Sequence, residues 1–279
     1  MDSETQSPNL MCKEDESNNN KKNENFKFCS ISDPNSEYVE MLMEKETDSP
    51  SNENKSVSKN DGSWLKRTRL DVIKWILDTR ARFGFHFRTA YLSLIYFDRY
   101  FSRKPINDGE LWLVQIISVA CLSLATKMEE SQVPKLSEYH VNGCEFEGYL
   151  VQRTELLVLK TLEWKMSWIT PSDFLNYFIN KFYGEVRHKE LVYRANVLIF
   201  ALMEENYVVD QWPSFISAAA VLAAYNRQLT KKQLEIKLNA ISSWGVLDKE
   251  HTSICYNLFQ SMVKKKLKFK TPKYVISNS

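Results

Sequence analysis

Apolar residues fill one long stretch of this chain, from 111 to 130, which reads LWLVQIISVACLSLATKMEE. A helix that is apolar on all sides lies at the centre of a bundle or crosses a membrane. The charge-free part is shorter than the roughly 20 residues that a bilayer requires, and it contains Gln115. No other segment resembles a membrane span or a signal peptide. We therefore predict a soluble protein in which this stretch is a central bundle helix, with no membrane partner.

Apolar positions recur at helical spacing on both sides of this stretch. Thr170, a capping residue, precedes Pro171, which suits a first helical turn, and together they mark the start of a second set of helices. The first set is predicted at 64–83, 89–102, 111–130, a short turn at 136–141, and 144–162. The second set is predicted at 172–183, 186–207, 213–227, 231–240 and 248–266.

Both sets contain a central helix of small residues. The segment ISVACLSLATK at 117–127 aligns with ISAAAVLAAYN at 216–226, which lies 99 residues later. The chain has only 7 Gly and 8 Pro and no glycine-rich nucleotide-binding motif, which disfavours sheet-rich and nucleotide-binding folds. We predict an all-α fold with two tandem five-helix units.

Charge separates an N-terminal tail from the helical body. The first 62 residues carry 14 acidic residues against 7 lysines, a net charge of −7, which leaves 30 basic and 21 acidic residues and a net charge of +9 for the remainder. The tail is rich in Ser, Asn, Glu and Lys, a composition that cannot bury enough apolar surface to offset the entropy of ordering. We predict a mostly disordered tail at 1–62, helical domains at 63–169 and 170–270, and a short tail at 271–279.

One tail segment, EYVEMLMEKE at 37–46, departs from this composition. Val39, Leu42 and Met43 have helical spacing, so the segment is either a helix that forms on contact or a marginal helix without a partner. The sequence alone leaves these two alternatives open.

Cysteine and histidine positions favour neither a disulfide framework nor a metal site. The five cysteines form no C-x-x-C pair, and the four histidines are scattered. We expect reduced, intracellular cysteines, no metal and no cofactor. Glu129 and Glu130 are adjacent on a helix and do not face each other, so we expect no catalytic carboxylate pair.

Four blocks occur in an order and at a spacing that resemble a cyclin box: RTRLDVIKWIL at 67–77, YFDRYFS at 96–102, LATKMEE at 124–130 and RTELLVLKTLEWKM at 153–166. The resemblance extends over about 63–270, and the first block is most similar to plant D-type cyclins. It implies two tandem cyclin folds and a regulatory subunit, not an enzyme, that binds and activates a cyclin-dependent serine/threonine protein kinase at the transition from the first gap phase to DNA replication.

The resemblance also assigns roles to individual residues. Arg69, Asp98 and Ile116 fall on signature positions of the family, with isoleucine where leucine is usual. Lys127 and Glu155 are expected to contact the kinase, and the apolar neighbours expected beside them are Leu124, Met128 and Leu159. By residue position alone, a lysine such as Lys127 is more commonly a helix-end lysine stabilised by the helix dipole.

The tail carries a second motif. Leu10, Cys12 and Glu14 match the L-x-C-x-E pattern with which D-type cyclins bind retinoblastoma-related proteins. In an extended peptide these three side chains point to the same side, which suits binding in a groove. Lys13 departs from the acidic residues often found within this motif. The resemblance thus implies a retinoblastoma-related protein as a partner, beside an A-type cyclin-dependent kinase.

The substrate-docking patch of many animal cyclins is altered in this chain. Its apolar positions are occupied here by Thr68, Asp71, Val72 and Trp75, and Asp71 replaces an apolar anchor with a charge. Burying an unpaired charge is costly, so docking of Arg-x-Leu substrates or kinase-inhibitor proteins there stays open.

The basic run KKKLKFKTPK at 264–273 is a nuclear-import signal, a nucleic-acid patch, or a run of lysines that the helix dipole favours. The family implies a location in the nucleus and leaves the cytoplasm open.

Two rival functions remain: a transcription factor with tandem cyclin folds, and a helical scaffold that activates no kinase. The transcription factor would bind DNA in a salt-dependent manner. The missing C-x-x-C pair disfavours this function.

Overall fold

The structure is a computed structural model that describes residues 36–48, 63–141, 143–184, 189–204, 212–226, 229–241 and 246–268. Its regular structure in these ranges is helical, which confirms the predicted all-α class. Within the described ranges, two 3-10 turns occur, at Leu136–Glu138 and Pro171–Asp173. The α-helices are α1 (Ser36–Asp48), α2 (Ser63–Phe83), α3 (Phe87–Arg103), α4 (Leu111–Glu129), α5 (Gly148–Thr161), α6 (Leu175–Tyr183), α7 (Lys189–Glu204), α8 (Pro213–Tyr225), α9 (Lys231–Asn239) and α10 (Val246–Lys268).

Helix α4 is the centre of the first helical unit, which contains α2 to α5. It packs against α2, α3 and α5, and every residue from 114 to 126 is buried. Small side chains such as Ala120 and Ala125 allow the neighbouring helices to approach closely. The length and apolarity of α4 would also allow it to cross a membrane, but 72% of its most apolar window is buried inside the fold.

Helix α8 has the same position in the second helical unit, which contains α6 to α10. It packs against α6, α7 and α10, and every residue from 214 to 224 is buried. The small-residue segments at 117–127 and 216–226 therefore lie at the two cores, as the repeat predicts.

Helix α1 contains the tail segment for which the sequence left two alternatives open. Val39, Leu42 and Glu46 are buried, and Met43 packs against the core at its edge. One carboxylate oxygen of Glu46 accepts the backbone N–H of Ser214, at 2.9 Å, in the first turn of α8. This burial and the tertiary hydrogen bond resolve the open alternative in favour of a docked helix, since an isolated helix of this length is marginal. The remainder of the predicted tail lies outside the described residues.

Some helix ends differ from the predicted ones because local hydrogen bonds replace the first helical turn. The helix predicted to begin at 144 begins at Gly148, since Val141 and Cys144 form an isolated antiparallel bridge before it. The helix predicted to begin at 172 begins at Leu175, since the backbone N–H and the hydroxyl of Thr170 donate to the carboxylate of Asp173. The other predicted domain bounds stay predictions.

Candidate functional site

An ion pair joins the C-terminal turn of α4 to the middle of α5. The Lys127 ammonium donates to both carboxylate oxygens of Glu155, each at 2.6 Å. The Glu155 side chain is 8% exposed, whereas that of Lys127 is 42% exposed. Lys127 is therefore held by a partner on another helix in addition to any effect of the helix dipole. The Glu155 carboxylate is mostly buried, whereas its partner Lys127 reaches the surface. The ion pair can therefore form hydrogen bonds with a protein that binds at this surface.

The apolar residues expected beside this ion pair differ in burial. Leu124 is buried, Leu159 is half-buried, and Met128 is exposed. Leu156 is 58% exposed and follows Glu155 on α5. We refer to Lys127, Met128, Glu155, Leu156 and Leu159 as the Lys127–Glu155 surface.

Two further exposed aromatic side chains extend from α5, and the sequence reasoning did not single them out. Tyr149 begins the outer face of the helix, and Trp164 lies just beyond its C-terminus and is 67% exposed. The signal for α5 lay in its sequence, because Leu156 and Leu157 add apolar residues outside the buried stripe of Val151 and Val158. A helix with more apolar positions than its core needs has a face available for another surface.

The turn after α5 holds Trp164 in an uncommon backbone conformation. Glu163 and Trp164 have φ values of 55° and 60°, in the left-handed region that non-glycine residues rarely adopt. Arg103 donates to the carbonyl of Thr161 at 2.6 Å and pairs with Glu163 at 3.3 Å. The hydrogen bond from Lys165, together with its charge, lowers the pKa of Glu163, and Arg103 adds to this effect. Helix α3 thus anchors the turn that presents the exposed indole.

Arg69 and Asp98 lie at the junction of the two helical units. The Arg69 guanidinium makes two hydrogen bonds of 2.7 Å to the Asp98 carboxylate and a third of 2.7 Å to the carbonyl of Met203 in α7. Burial lowers the pKa of Arg69, but the charge and hydrogen bonds of Asp98 outweigh it and raise the pKa overall. Ile116 is a core residue of α4. These three signature residues are therefore structural.

Comparisons with known proteins give this arrangement a family. Residues 37–167 match the family model of the cyclin N-terminal domain. Cyclin-D5-1 of Arabidopsis thaliana is 36% identical over 221 residues, which cover 75% of this chain and 68% of that protein. The chain belongs to the plant D-type cyclins. The family match includes most of α1, which the sequence had assigned to the tail.

Other relatives and one solved structure agree with this assignment. Cyclin-D5-2 and Cyclin-D5-1 of Oryza sativa subsp. japonica are 40% and 39% identical, over 70% and 71% of this chain. The match covers 58% and 55% of those two relatives, so the chain spans little more than half of their length. The X-ray structure of a viral cyclin from herpesvirus saimiri has a TM-score of 0.66 at 18% identity and covers 81% of this chain and 96% of its own. The fold is therefore the cyclin fold.

In this D-type cyclin the altered docking patch is mostly buried. Thr68, Val72 and Trp75 are all less than 10% exposed. Trp75 donates its indole N–H to the carbonyl of His140 at 2.6 Å. Asp71 is exposed and lies 3.4 Å from Lys74. The sequence identified these four positions, but the structure shows that only Asp71 presents its side chain to solvent.

Glu129 and Glu130 of the cyclin point to separate partners and do not form an acid–base pair. Glu129 pairs with Arg88 at 2.7 Å. Glu130 accepts the backbone N–H of His86 at 2.8 Å and also the hydroxyl of Thr89, so it caps the N-terminus of α3. Both carboxylates therefore hold the end of α4 against the start of α3.

The remaining sequence features fall partly outside the described residues. Leu10, Cys12 and Glu14 lie outside them, as do residues 269–273 of the basic run, whose first part continues α10. Cys121 and Cys255 are buried free thiols, and burial raises the pKa of each. Among the described side chains no group of three or more His, Cys, Asp or Glu is arranged to hold a metal ion.

Proposed function

We propose that this chain is a non-catalytic regulatory subunit that binds and activates a cyclin-dependent serine/threonine protein kinase. The observation that carries the proposal is the Lys127–Glu155 surface, which combines a part-buried ion pair with exposed apolar side chains. Support comes from the resemblance to cyclins, which assigns kinase contact to Lys127, Met128, Glu155 and Leu159, all within the stretch that matches the cyclin N-terminal domain. The partner is an A-type kinase, and the step is entry into DNA replication.

The mechanism is conformational. The apolar residues Met128, Leu156 and Leu159 pack against the regulatory helix of the kinase, and the Lys127–Glu155 pair provides hydrogen bonds at the edge of that contact. A helix held inward completes the lysine–glutamate pair of the kinase, which positions the ATP phosphates. The cyclin supplies binding free energy to one kinase conformation and performs no chemistry.

The affinity for the kinase tests this proposal. Glu155→Ala leaves the Lys127 ammonium without its partner in a contact that excludes water, which costs about 3–5 kcal/mol, or more than a hundredfold in Kd. Glu235→Ala on α9 is the matched control, because it removes an exposed glutamate from the second helical unit. Isothermal titration with a purified A-type kinase measures both. Equal affinities for the parent and Glu155→Ala would refute the proposed surface.

A second partner is proposed from the tail motif. Leu10 and Cys12 enter apolar pockets of a retinoblastoma-related protein, and Glu14 accepts hydrogen bonds beside them. The full chain should bind this protein, and Cys12→Ala should weaken binding about tenfold or more, through loss of a buried side chain. Cys29→Ala is the matched control, since Cys29 lies in the same tail outside the motif. Unchanged affinity for Cys12→Ala would exclude this binding mode.

We also propose nuclear residence, supported by the family and by the basic run at 264–273. Replacing Lys264, Lys265 and Lys266 by alanine should shift a fluorescent fusion of the full chain toward the cytoplasm. Replacing Lys231 and Lys232 on α9 is the control. A distribution unchanged by the first replacement would assign these lysines to the helix end alone.

A further inference from the structure

Arg88 contacts carboxylates from both helical units. It lies in the first turn of α3, and its Nε donates to Glu129 of α4 at 2.7 Å. Its Nη1 donates to Asp173, which lies in the 3-10 turn that opens the second unit. The three side chains are between 18% and 32% exposed, so this chain of charges is partly shielded from solvent.

The far end of this chain is held firmly. One oxygen of Asp173 accepts from the backbone N–H of Thr170 at 2.7 Å and from its hydroxyl at 3.0 Å, and the other accepts from Arg88. Thr170 and the following Pro171 are buried. Asp173 is therefore fixed relative to the start of the second unit, and a displacement of that turn would move the carboxylate that Arg88 contacts.

The near end of the chain lies directly beside the Lys127–Glu155 surface. Glu129 is two residues after Lys127 and next to the exposed Met128, all in the last turn of α4. The next residue, Glu130, accepts hydrogen bonds from the N-terminal residues of α3. The contacts of Arg88 and Glu130 thus determine how the last turn of α4 lies on α3.

We propose that Arg88 is a positioning residue for kinase docking, which sets the last turn of α4 in register with the second helical unit through Glu129 and Asp173. This inference rests on the proposed function of the Lys127–Glu155 surface. Arg88 does not belong to that surface and acts through Glu129. It makes the orientation of Lys127 and Met128 dependent on the placement of the second unit.

The chemistry of the side chain explains why arginine is required here. A planar guanidinium presents several donors in a rigid fork and can pair with two carboxylates that approach from different directions. A lysine ammonium retains the charge but lacks this fork. Arg88→Lys should therefore keep one partner well aligned and hold the other loosely, with an effect between those of the parent and Arg88→Gln.

The test measures kinase affinity for the full chain and its variants by isothermal titration, with the melting temperature of each recorded alongside. We expect Kd to rise about tenfold for Arg88→Gln and about threefold for Arg88→Lys, the range for a part-buried ion pair between the exposed and buried limits. Asp173→Asn should raise Kd about threefold, because the amide retains one oxygen for the Thr170 cap and loses the charge that Arg88 contacts. Arg82→Gln is the matched control, an exposed arginine of α2 that donates to a backbone carbonyl, and should leave Kd unchanged.

A double variant separates positioning from a general loss of stability. If Arg88 acts through the last turn of α4, Arg88→Gln combined with Lys127→Ala should raise Kd by less than the product of the two single effects. Multiplying effects, or an Asp173→Asn variant with the affinity of the parent, would overturn the inference. If Arg88→Gln fails to fold, Arg88→Lys and Asp173→Asn decide in the same way. A parent that does not bind kinase, or an unaffected Lys127→Ala variant, would overturn the proposed function instead.

Discussion

At the scale of single residues, a few buried polar groups connect the two helical units. Arg69 donates two hydrogen bonds to Asp98 and one to the carbonyl of Met203. Glu46 inserts a carboxylate from α1 at the N-terminus of α8. Each of these groups forms a hydrogen bond with an element that is far away in sequence. If the helices were assembled incorrectly, these buried polar groups would lose those hydrogen bonds, which costs free energy.

The Arg69–Asp98 pair should be the more sensitive to truncation. Asp98→Ala removes the carboxylate that balances the charge of the buried Arg69 guanidinium, which is 6% exposed. We expect the free energy of unfolding to fall by about 3–5 kcal/mol, measured by urea denaturation. Lys74→Ala breaks the exposed pair with Asp71 and should change stability by less than about 0.5 kcal/mol. Similar small losses in both variants would contradict the structural role of the signature residues.

Glu46 should make the attachment of α1 dependent on pH. Burial raises the pKa of Glu46 from 4.5 to about 7, partly offset by its hydrogen bonds with Ser214. Since the docked carboxyl binds a proton more tightly than an undocked one, its contribution is fully present below about pH 4.5 and is lost as pH rises through about 7. The loss is of order 3 kcal/mol.

Hydrogen exchange of the α1 amides, corrected for intrinsic rates, checks this prediction. Protection should fall from about pH 5 to about pH 8, and Glu46→Gln should abolish the fall because the amide oxygen still accepts from Ser214 without ionising. Glu37→Gln, on an exposed position of the same helix, should preserve the fall. Protection that is constant over this range in the parent would show that Glu46 does not control docking.

At the scale of elements, the two central helices have the same design. Both α4 and α8 are enriched in small residues and are buried along most of their length. Ala120 and Ala219 are equivalent under the 99-residue repeat, and neither has any exposed surface. Small side chains at these positions determine how closely the surrounding helices pack.

Enlarging these alanines should therefore destabilise each core. Ala120→Leu and Ala219→Leu each add three carbon atoms to a closely packed site, which costs about 1–3 kcal/mol. Ala81→Leu, on an exposed position of α2, should be nearly neutral. Thermal unfolding of the three variants measures the difference. A stability equal to that of the parent in either core variant would mean that the repeat does not mark a packed centre.

The sequence predicted the helices well where apolar segments are long. It predicted them poorly where tertiary contacts determine whether a helix forms or where it begins. The runs around Ala120 and Ala219 are apolar on all sides, which locates the two cores without further information. The short stripe of Val39 and Leu42 was ambiguous, because its helix depends on burial against the helical body and on the hydrogen bond that Glu46 accepts from α8. Helix starts at Gly148 and Leu175 were displaced by a local bridge and a capping box that periodicity does not reveal.

The candidate site was predictable only in part, for a physical reason. The positions of Lys127 and Glu155 came from family resemblance, and no periodicity rule places two residues 28 apart within 2.6 Å of each other. Trp164 was missed because its exposure arises from a left-handed turn after α5. The role of Arg88 also depends on three-dimensional proximity, since Asp173 lies 85 residues away in sequence.

At the scale of the whole molecule, the cyclin fold holds the Lys127–Glu155 surface through contacts from both helical units. The described residues, from 36 to 268 with their gaps, belong to one compact unit, and both helical units contribute to the contacts that hold the last turn of α4. A rigid docking surface can stabilise one conformation of a flexible partner, because its differential affinity for that conformation shifts the equilibrium. The proposed activation of a kinase relies on this property.

Phosphorylation of histone or of a retinoblastoma-related protein by a purified A-type cyclin-dependent kinase, titrated with the parent chain and with Glu155→Ala, is the decisive measurement. The proposed mechanism predicts activation by the parent that saturates with concentration, and for Glu155→Ala a half-maximal concentration raised more than about a hundredfold. Kinase activity that stays at its basal level while the parent chain is bound would contradict activation and favour a scaffold. Activation by both proteins at the same concentrations would place the docking surface elsewhere.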